Sequence, residues 1–450
     1  MKGLNCKKLE VPEKVRYIID KLEENGFKAY MVGGCVRDLL RNKIPNDYDI
    51  TTSALPEDVI SIFDKTIPTG MKHGTVTVVL DGEMFEVTTF RVDGEYLDSR
   101  RPEGVTFVNN LREDLSRRDF TINAMAYNNS EGLQDFFDGE LDLKNSIIRT
   151  VGDAHKRFEE DALRMMRAVR FSAQLGFTID VDTLQAIRDL NYLIDNISVE
   201  RIREEVNRIL INDSNCIELL LDVGLLDRFM PELVACKGCV QNNPYHVYDV
   251  FKHTLVATES IKDTLYLRLT MLFHDIGKVP CKTTDDKGID HFYHHPRESC
   301  YLARDIMKRM KYDNKTIDKV LTLIQYHDIT LNSKKSIRRL LSKISKEDFE
   351  DLLLVKEADM RAHNPEYLQE SLEIINNTRE KYLEVIKEAD CFSLKDLAIN
   401  GRFLIDNGYA SQGKDVGFIL NYLLDKVIEE PDKNNIEDLT NFINELKQES

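Results

Sequence analysis

The 450-residue chain lacks tryptophan, low-complexity tracts and any run of about eighteen apolar residues. The missing apolar run argues against a membrane-spanning helix, and the charged first thirty residues lack the apolar core of a secretory signal. Eight cysteines are scattered, and the single Cys-x-x-Cys pair, Cys236 and Cys239, has no second pair at zinc-ribbon spacing. We therefore expect a cytoplasmic protein of two to four domains with no membrane partner, and interpret the cysteine pair as structural or incidental.

The net charge of −17 argues against a protein that coats nucleic acid without selectivity, because such binding depends on neutralising phosphates. Basic residues are nevertheless concentrated in a few segments. The first two clusters are Arg91, Arg100, Arg101, Arg112, Arg117 and Arg118, followed by Lys156, Arg157, Arg164, Arg167 and Arg170. Selective contact with RNA remains open.

The first 150 residues and the rest of the chain differ in the periodicity of their apolar residues. Residues 76–80 and 83–90 read as a β-hairpin, because the intervening Asp81-Gly82 suits the positive φ angles of a tight turn. After about residue 150 the strand signals fade and helical periodicity continues to the end. The sequence predicts an α+β fold: an α/β head with a mixed sheet, then a long all-α neck, body and tail.

The pair Asp47 and Asp49 lies behind an apolar run that leads into Gly33-Gly34 and a short helical pattern. Such a turn can present backbone N–H groups to a phosphate. On a strand, residues two apart share a face, so both carboxylates would meet there, as two-metal phosphoryl transfer requires. Glu86, on the second hairpin strand, either joins them or is an exposed edge carboxylate. An Asx-rich turn is the simpler alternative for the pair.

Residues 117–126, "RRDFTINAMA", and 160–171, "EDALRMMRAVRF", carry the remaining polar signals of the first half. Arginine suits phosphate and aspartate accepts from a ribose hydroxyl, although the first string could also be a salt-bridged helix cap. Asp161 and Arg164 share a helix face. Side by side they would pair with the amino group and ring nitrogen of C or A, and leave G and U mismatched. The alternative is a simple intrahelical ion pair.

Together these motifs resemble the bacterial class II tRNA nucleotidyltransferases, the CCA-adding enzymes and poly(A) polymerases. The match runs in order through about the first 210 residues. The resemblance implies that Asp47 and Asp49 bind catalytic Mg²⁺, that Glu86 is the third catalytic acid, and that Asp161 and Arg164 select the base. The implied nucleotide-binding residues are Gly33, Gly34, Arg37, Arg117, Arg118, Asp119, Asn123, Asp161, Arg164, Arg167 and Arg170.

Residues 91–102 resemble the loop that relatives need for the final A, which disfavours a CC-only enzyme. Full CCA addition, A-only addition and poly(A) synthesis remain open. The implied partners are tRNA, CTP and ATP, and nothing in the sequence indicates an oligomeric state.

A second set of residues mixes imidazoles with carboxylates, which suit divalent transition metals. It resembles the HD phosphohydrolase superfamily through the "HDIGK" string at 274–278. The implied metal ligands are His253, His274, Asp275 and Asp359, with His295 and His327 for a second ion; His294 competes with His295. A metal-dependent phosphohydrolase with an RNA-binding head is therefore the alternative of a different class.

The expected divisions are a nucleotidyltransferase head at 1–150, a neck and RNA-binding region at 151–240, an HD-type domain at 241–375 and a tRNA-binding tail at 376–450. Residues 394–420 resemble the RNA-contacting tail of bacterial relatives, although a packing helix would explain them equally well.

Overall fold

The computed structural model describes residues 9–94, 104–388, 391–411 and 413–449. The chain divides into two compact units, Met1–Pro231 and Glu232–Ser450. Within the described residues, none of the helices has the length and apolar character that a membrane crossing requires.

The first unit contains a seven-stranded mixed sheet with strand order β3-β4-β5-β2-β1-β8-β9. Only the β2–β5 pairing is parallel within it. The strands and helices up to residue 150 are α1 Glu13–Glu24, β1 Ala29–Val32, α2 Gly34–Leu40, β2 Ile50–Thr52, α3 Pro56–Ile62, β3 Thr66–Gly70, β4 Thr75–Leu80, β5 Glu83–Thr89, β6 Arg91–Asp93, β7 Val105–Phe107, α4 Leu111–Ser116, β8 Met125–Asn128, β9 Gly132–Asp135, α5 Gly139–Asn145 and β10 Ile147–Ile148.

Side-chain alternation explains why the sheet is covered on both faces. On β1, Ala29 and Met31 join one apolar cluster, whereas Tyr30 and Val32 join another on the opposite face. The predicted hairpin is confirmed as β4 and β5, with positive φ at both Asp81 (48°) and Gly82 (83°). The predicted mixed sheet and α+β class are therefore confirmed.

Helices dominate the rest of the first unit. They are α6 Ala154–Glu160, α7 Leu163–Leu175, α8 Val181–Leu190, α9 Val199–Asn212, α10 Cys216–Asp222 and α11 Leu226–Phe229, with the short α12 Pro231–Val234 at the boundary. A two-residue strand, β11 Thr178–Ile179, pairs with β10. The predicted helix start at residues 160–164 is displaced: α6 ends at Glu160, and Asp161 adopts an extended conformation (φ −140°, ψ 102°) before α7 begins.

The second unit is helical apart from a two-stranded pair. Its elements are α13 Val250–Ser260, α14 Leu265–Phe273, α15 Lys278–Cys281, β12 Thr283–Thr284, β13 Asp290–His291, α16 His295–Arg309, α17 Asn314–Tyr326, α18 Lys334–Leu341, α19 Lys346–Arg361, α20 Leu368–Lys387, α21 Gly401–Asp406, α22 Lys414–Glu429 and α23 Ile436–Glu449. One apolar cluster packs α13, α14 and α17–α20, and another packs α21–α23. Of the loop predicted at 91–102, residues 95–102 lie outside the described ranges.

Candidate functional site

Three carboxylates gather at one edge of the head sheet. Asp47 and Asp49 lie in a segment without regular secondary structure directly before β2, not on the strand itself. The Val32 N–H donates to the backbone oxygen of Asp49 at 3.0 Å, which holds this segment against the end of β1. Parallel pairing of β2 with β5 brings Asp49 beside Glu86, and the charges of Asp47 and Glu86 both act on it.

The electrostatics of this edge favour a cation. Desolvation by the surrounding protein, reinforced by the charge of Asp47, raises the pKa of Asp49, while the Arg118 guanidinium opposes the rise. All three carboxylates are exposed, and within the described ranges none of their side chains forms a hydrogen bond or an ion pair. Two protein carboxylates suffice for Mg²⁺, which otherwise keeps water and substrate phosphate as ligands. The arrangement therefore fits a divalent ion bound together with a nucleotide.

The glycine pair lies beside these carboxylates, at the start of α2. Gly33 adopts φ 80°, and its N–H donates to the Met125 carbonyl at 3.2 Å. A Cβ at this position would lie 3.2 Å from Nη1 of Arg118. Both the backbone conformation and the close approach of the guanidinium therefore require glycine.

Arg117 and Arg118 are held by a carboxylate that no sequence motif indicated. Asp114, on α4, is completely buried and accepts from Nε and Nη2 of Arg117 at 3.0 and 2.9 Å. Nη2 of Arg118 lies 3.5 Å from its other oxygen. The Thr51 hydroxyl donates to Asp114 at 3.2 Å, which links the two arginines to β2.

Asp119 connects two further predicted residues. Its Oδ2 pairs with Arg167 (Nε at 2.9 Å), and its Oδ1 accepts from the Asn123 amide at 3.2 Å. Asn123 in turn accepts from Arg37 Nη1 at 2.8 Å. Burial alone would raise the pKa of Asp119, but the Arg167 and Asn123 contacts outweigh it and lower that pKa to about 2. Both carboxylate oxygens of Asp119 are therefore engaged by neighbouring side chains.

Phe171 organises the arginines of this region. Its ring centroid lies 5.4 Å from the guanidinium carbons of Arg37 and Arg167 and 3.8 Å from that of Arg170. Arg170 also pairs with Glu205 at 2.6 Å, and both side chains are buried. The positive groups are thus supported by an aromatic face as well as by carboxylates.

Asp161 and Arg164 have different partners, so the simple ion pair between them does not form. Oδ2 of Asp161 accepts from Arg201 at 3.0 Å, and its Oδ1 accepts from the Leu163 N–H at 3.1 Å. Nη1 of Arg164 donates to Glu160 at 2.8 Å, and Nη2 donates to the Arg117 carbonyl at 2.9 Å. Each group is oriented by a neighbour of opposite charge, and neither neutralises the other.

In the second unit, the structure brings together all six predicted metal ligands. Nε2 of His253 lies 2.9 Å from Asp359 and 3.3 Å from Nε2 of His274. Asp275 lies between this pair of histidines and His295. Its Oδ2 is 3.3 Å from Nε2 of both His253 and His274, and its Oδ1 is 3.3 Å from Nε2 of His295. The predicted second-ion pair is also close, with His295 and His327 Nε2 atoms 3.2 Å apart.

Backbone carbonyls fix the orientation of these rings. Each of the four Nδ1 atoms faces a carbonyl oxygen, from Ala362, Met271, Phe292 and Ile324, at 2.7–3.2 Å. A proton on Nδ1 leaves the Nε2 lone pairs to converge, which is how metal-binding histidines are commonly held. Both oxygens of Asp275 are buried without a well-formed hydrogen bond, although Lys278 Nζ lies 2.6 Å from Oδ2. The residues therefore fit a pair of divalent ions.

Burial distinguishes the adjacent histidines His294 and His295, which the sequence offered as alternative metal ligands. His295 is buried as the first residue of α16, whereas His294 is exposed with φ 64°. The cluster opens into a cavity of about 320 Å³, which His246 and His363 also line. No motif in the sequence indicated these two residues. In the head, Glu160 belongs to the motif at residues 160–171, but nothing in that motif indicates that its side chain supports Arg164.

Comparisons with known proteins agree with this description. Residues 29–149 match the "Poly A polymerase head domain" model, residues 176–236 match the "Probable RNA and SrmB-binding site of polymerase A", and residues 297–443 match "tRNA nucleotidyltransferase domain 2". The CCA-adding enzyme of Pediococcus pentosaceus is 35% identical over 438 residues, which cover 97% of this chain and 98% of the relative. The Lactobacillus johnsonii enzyme is 38% identical, with 95% of each chain covered.

Among solved structures, the Bacillus stearothermophilus CCA-adding enzyme in complex with CTP superposes with a TM-score of 0.73 at 31% identity and covers 98% of both chains. The head motifs, the order of the matched segments and the near-complete alignments all agree. The chain belongs to the family of CCA-adding enzymes.

Proposed function

We propose that this chain adds C, C and A in succession to the 3′ end of tRNA, using CTP and ATP. The observation that carries the proposal is the placement of Asp47, Asp49 and the Gly33 turn at one edge of the sheet, beside a network of oriented arginines. The proposal is also supported by similarity, because the chain belongs to the family of CCA-adding enzymes and residues 297–443 match a tRNA nucleotidyltransferase domain.

Enzymes of this family use divalent metal, and we propose that Mg²⁺ is held here by Asp47 and Asp49, with Glu86 nearby. When bound, the metal would activate the primer 3′ hydroxyl and stabilise the charge that develops on the phosphates. Arg118, beside Gly33, and Arg117, on the same buried carboxylate, would orient the triphosphate. The reaction forms a bond between the 3′ oxygen and the α-phosphorus and releases pyrophosphate.

Base choice is assigned to Asp161 and Arg164, with Arg201 and Glu160 as positioning residues. Asp161 keeps lone pairs for an exocyclic amino group, and Arg164 offers N–H groups to a ring nitrogen. C and A present that order of donor and acceptor, whereas G and U present the reverse. Arg201 holds Asp161, and Glu160 holds Arg164. Asp161 and Arg164 therefore do not pair with each other, and both can contact a base.

The test offers CTP, ATP, GTP and UTP separately to tRNA that ends before C, CC or CCA. Asp47→Asn and Asp49→Asn should each lower incorporation by at least about 100-fold, because the charge that develops on the phosphates loses its stabilisation. Asp81→Asn, an exposed head carboxylate on the β4–β5 turn, is the matched control. Undiminished addition of C and A by both site variants would overturn the proposal. An extended adenylate run would identify a poly(A) polymerase, and addition of A alone an A-adding enzyme.

A second candidate function rests on the imidazole–carboxylate cluster of the second unit. We propose that its six residues hold divalent transition metal ions, and that the cavity beside them admits a phosphate ester for hydrolysis. Bound metal would supply an activated water and neutralise phosphate charge. Lys278, 2.6 Å from Asp275, adds a further positive group to the cavity wall.

We assign both reactions to the cytoplasm, where tRNA and nucleoside triphosphates are available. We also propose the functional divisions 1–150, 151–240, 241–375 and 376–450. The separate apolar cluster of α21–α23 supports a distinct tail within the last of them, for which tRNA is the proposed ligand.

A further inference from the structure

Two histidines outside the six-residue cluster are held against it by a set of backbone and side-chain contacts. His246 precedes α13, and His363 follows α19. The Asn364 N–H donates to the Tyr245 carbonyl at 2.8 Å, and the Asn364 side-chain amide donates to the Pro244 carbonyl at 3.1 Å. The rings of Tyr245 and Tyr367 lie 5.0 Å apart. These contacts fasten one segment to the other and thereby set the position of both histidines.

The imidazoles meet with the spacing seen inside the cluster. The centroid of the His246 ring lies 4.6 Å from that of His363 and 5.4 Å from that of His253, and His253 lies 5.3 Å from His363. The corresponding distances within the cluster are 5.1–5.4 Å. Each of the three histidines offers a nitrogen within 4.8 Å of the others. Two nitrogens bound to one zinc-like ion lie about 3–4 Å apart, so small side-chain movements would bring them to bonding distance.

A buried polar atom also lacks a partner here. Nδ1 of His246 is buried and has no hydrogen-bond partner within the described part of the chain. A buried imidazole nitrogen without a partner is costly unless a ligand satisfies it. His246 and His363 both line the cavity of about 320 Å³ that contains Asp275, His327 and Asp359. An ion bound to them would therefore face the same cavity as the proposed phosphate ester.

We propose that His246 and His363 form an additional position for a divalent transition metal ion, beside the two positions of the six-residue cluster. His253 lies between the positions. Its Nδ1 faces the Ala362 carbonyl, so its Nε2 has one lone pair and binds one ion at a time. The additional position therefore depends on His246 and His363, and its remaining coordination sites are open to water or a phosphate oxygen. The proposal deepens the hydrolytic site and rests on metal binding there, not on hydrolysis itself.

The experiment counts cobalt(II) bound per full-length chain, by equilibrium dialysis and elemental analysis, in the presence of Mg²⁺. The readout is the difference in bound cobalt per chain between the wild-type chain and the double variant His246→Ala/His363→Ala. Cobalt bound elsewhere contributes equally to both counts and does not affect the difference. The double variant should bind one ion fewer, and the visible absorbance of bound cobalt should fall with it. His155→Ala removes an exposed histidine that pairs with Asp189 in the first unit, and it should leave the count unchanged.

An identical cobalt count in the wild-type chain and the double variant would overturn the proposal. A loss of two or more ions would also overturn it, because the two histidines would then support the cluster and not a separate position. His274→Ala distinguishes the underlying assumption: if it too leaves the count unchanged, the six-residue metal site itself is absent. The melting temperature and the rate of CCA addition, measured on each variant, show that the chain remains folded.

Discussion

The carboxylate of Asp114 is contacted by four groups from three segments of the head. The Thr51 hydroxyl, the Arg91 N–H and the side chains of Arg117 and Arg118 all reach it. Burial would raise the pKa of this group, but the charges of Arg118 and Arg117 outweigh burial and lower it. The charged form therefore stabilises the fold above the ordinary aspartate pKa of about 4, and this contribution is lost as the pH falls through the lowered value.

We predict that Asp114→Asn destabilises the chain by about 3–5 kcal/mol, because two arginines lose their buried counter-charge. It should also raise KM for CTP more than it lowers kcat, since the displaced arginines are those proposed to hold the triphosphate. Urea unfolding and steady-state kinetics measure the two effects. Glu113→Gln alters the exposed neighbour on the same helix and should change neither quantity. Equal stability of the Asn variant and the wild-type chain at pH 7 would contradict this account.

At the scale of elements, close packing of α15 and α16 depends on Gly277. A Cβ there would lie 2.4 Å from the Ser299 nitrogen and 2.6 Å from the His295 carbonyl oxygen. The Gly277 N–H donates to the Ser299 hydroxyl at 2.9 Å. The helix that carries His295 can therefore approach Asp275 only because this position lacks a side chain.

Gly277→Ala should accordingly push α16 outward, lower the free energy of unfolding by about 1–3 kcal/mol and weaken cobalt binding. Gly417→Ala is the matched control, because its Cβ would meet no atom within 4 Å inside α22. That change should be neutral or stabilising by up to about 1 kcal/mol, as expected from helix propensity. Calorimetry and metal titration of the two variants measure the contrast, and similar destabilisation by both would refute the packing argument.

Local sequence patterns explain which elements could be predicted. The β4–β5 hairpin follows from Asp81-Gly82 because a two-residue turn fixes its own register. The insertion of β2 between β1 and β5 depends on pairing between distant segments, for which the sequence gives no signal. The same limit applies to the sites. The motif indicated Asp161 and Arg164 as candidates, but Arg201, the partner of Asp161, lies on α9, and the contact of His246 with His363 exists only after folding.

At the scale of the whole molecule, the two proposed sites lie in different compact units. The carboxylates of the head belong to Met1–Pro231, and the imidazole cluster belongs to Glu232–Ser450. The ligands of each site come entirely from its own unit. Chemistry at one site therefore needs no residue of the other, and substitutions should separate the two activities.

We predict that His274→Ala abolishes cobalt-dependent hydrolysis of bis(p-nitrophenyl) phosphate, used as a general phosphodiester probe, while CCA addition stays within about twofold of the wild-type rate. Asp49→Asn should give the reverse pattern, because it removes a head carboxylate and leaves the cluster intact. The reason is the same in both cases: charge stabilisation acts over a few ångströms and is lost only where the ligand is removed. If the wild-type chain does not hydrolyse the probe, the cluster is not a phosphodiesterase centre for such esters. If His274→Ala also loses CCA addition while it remains folded, the two sites are coupled, which would contradict their independence.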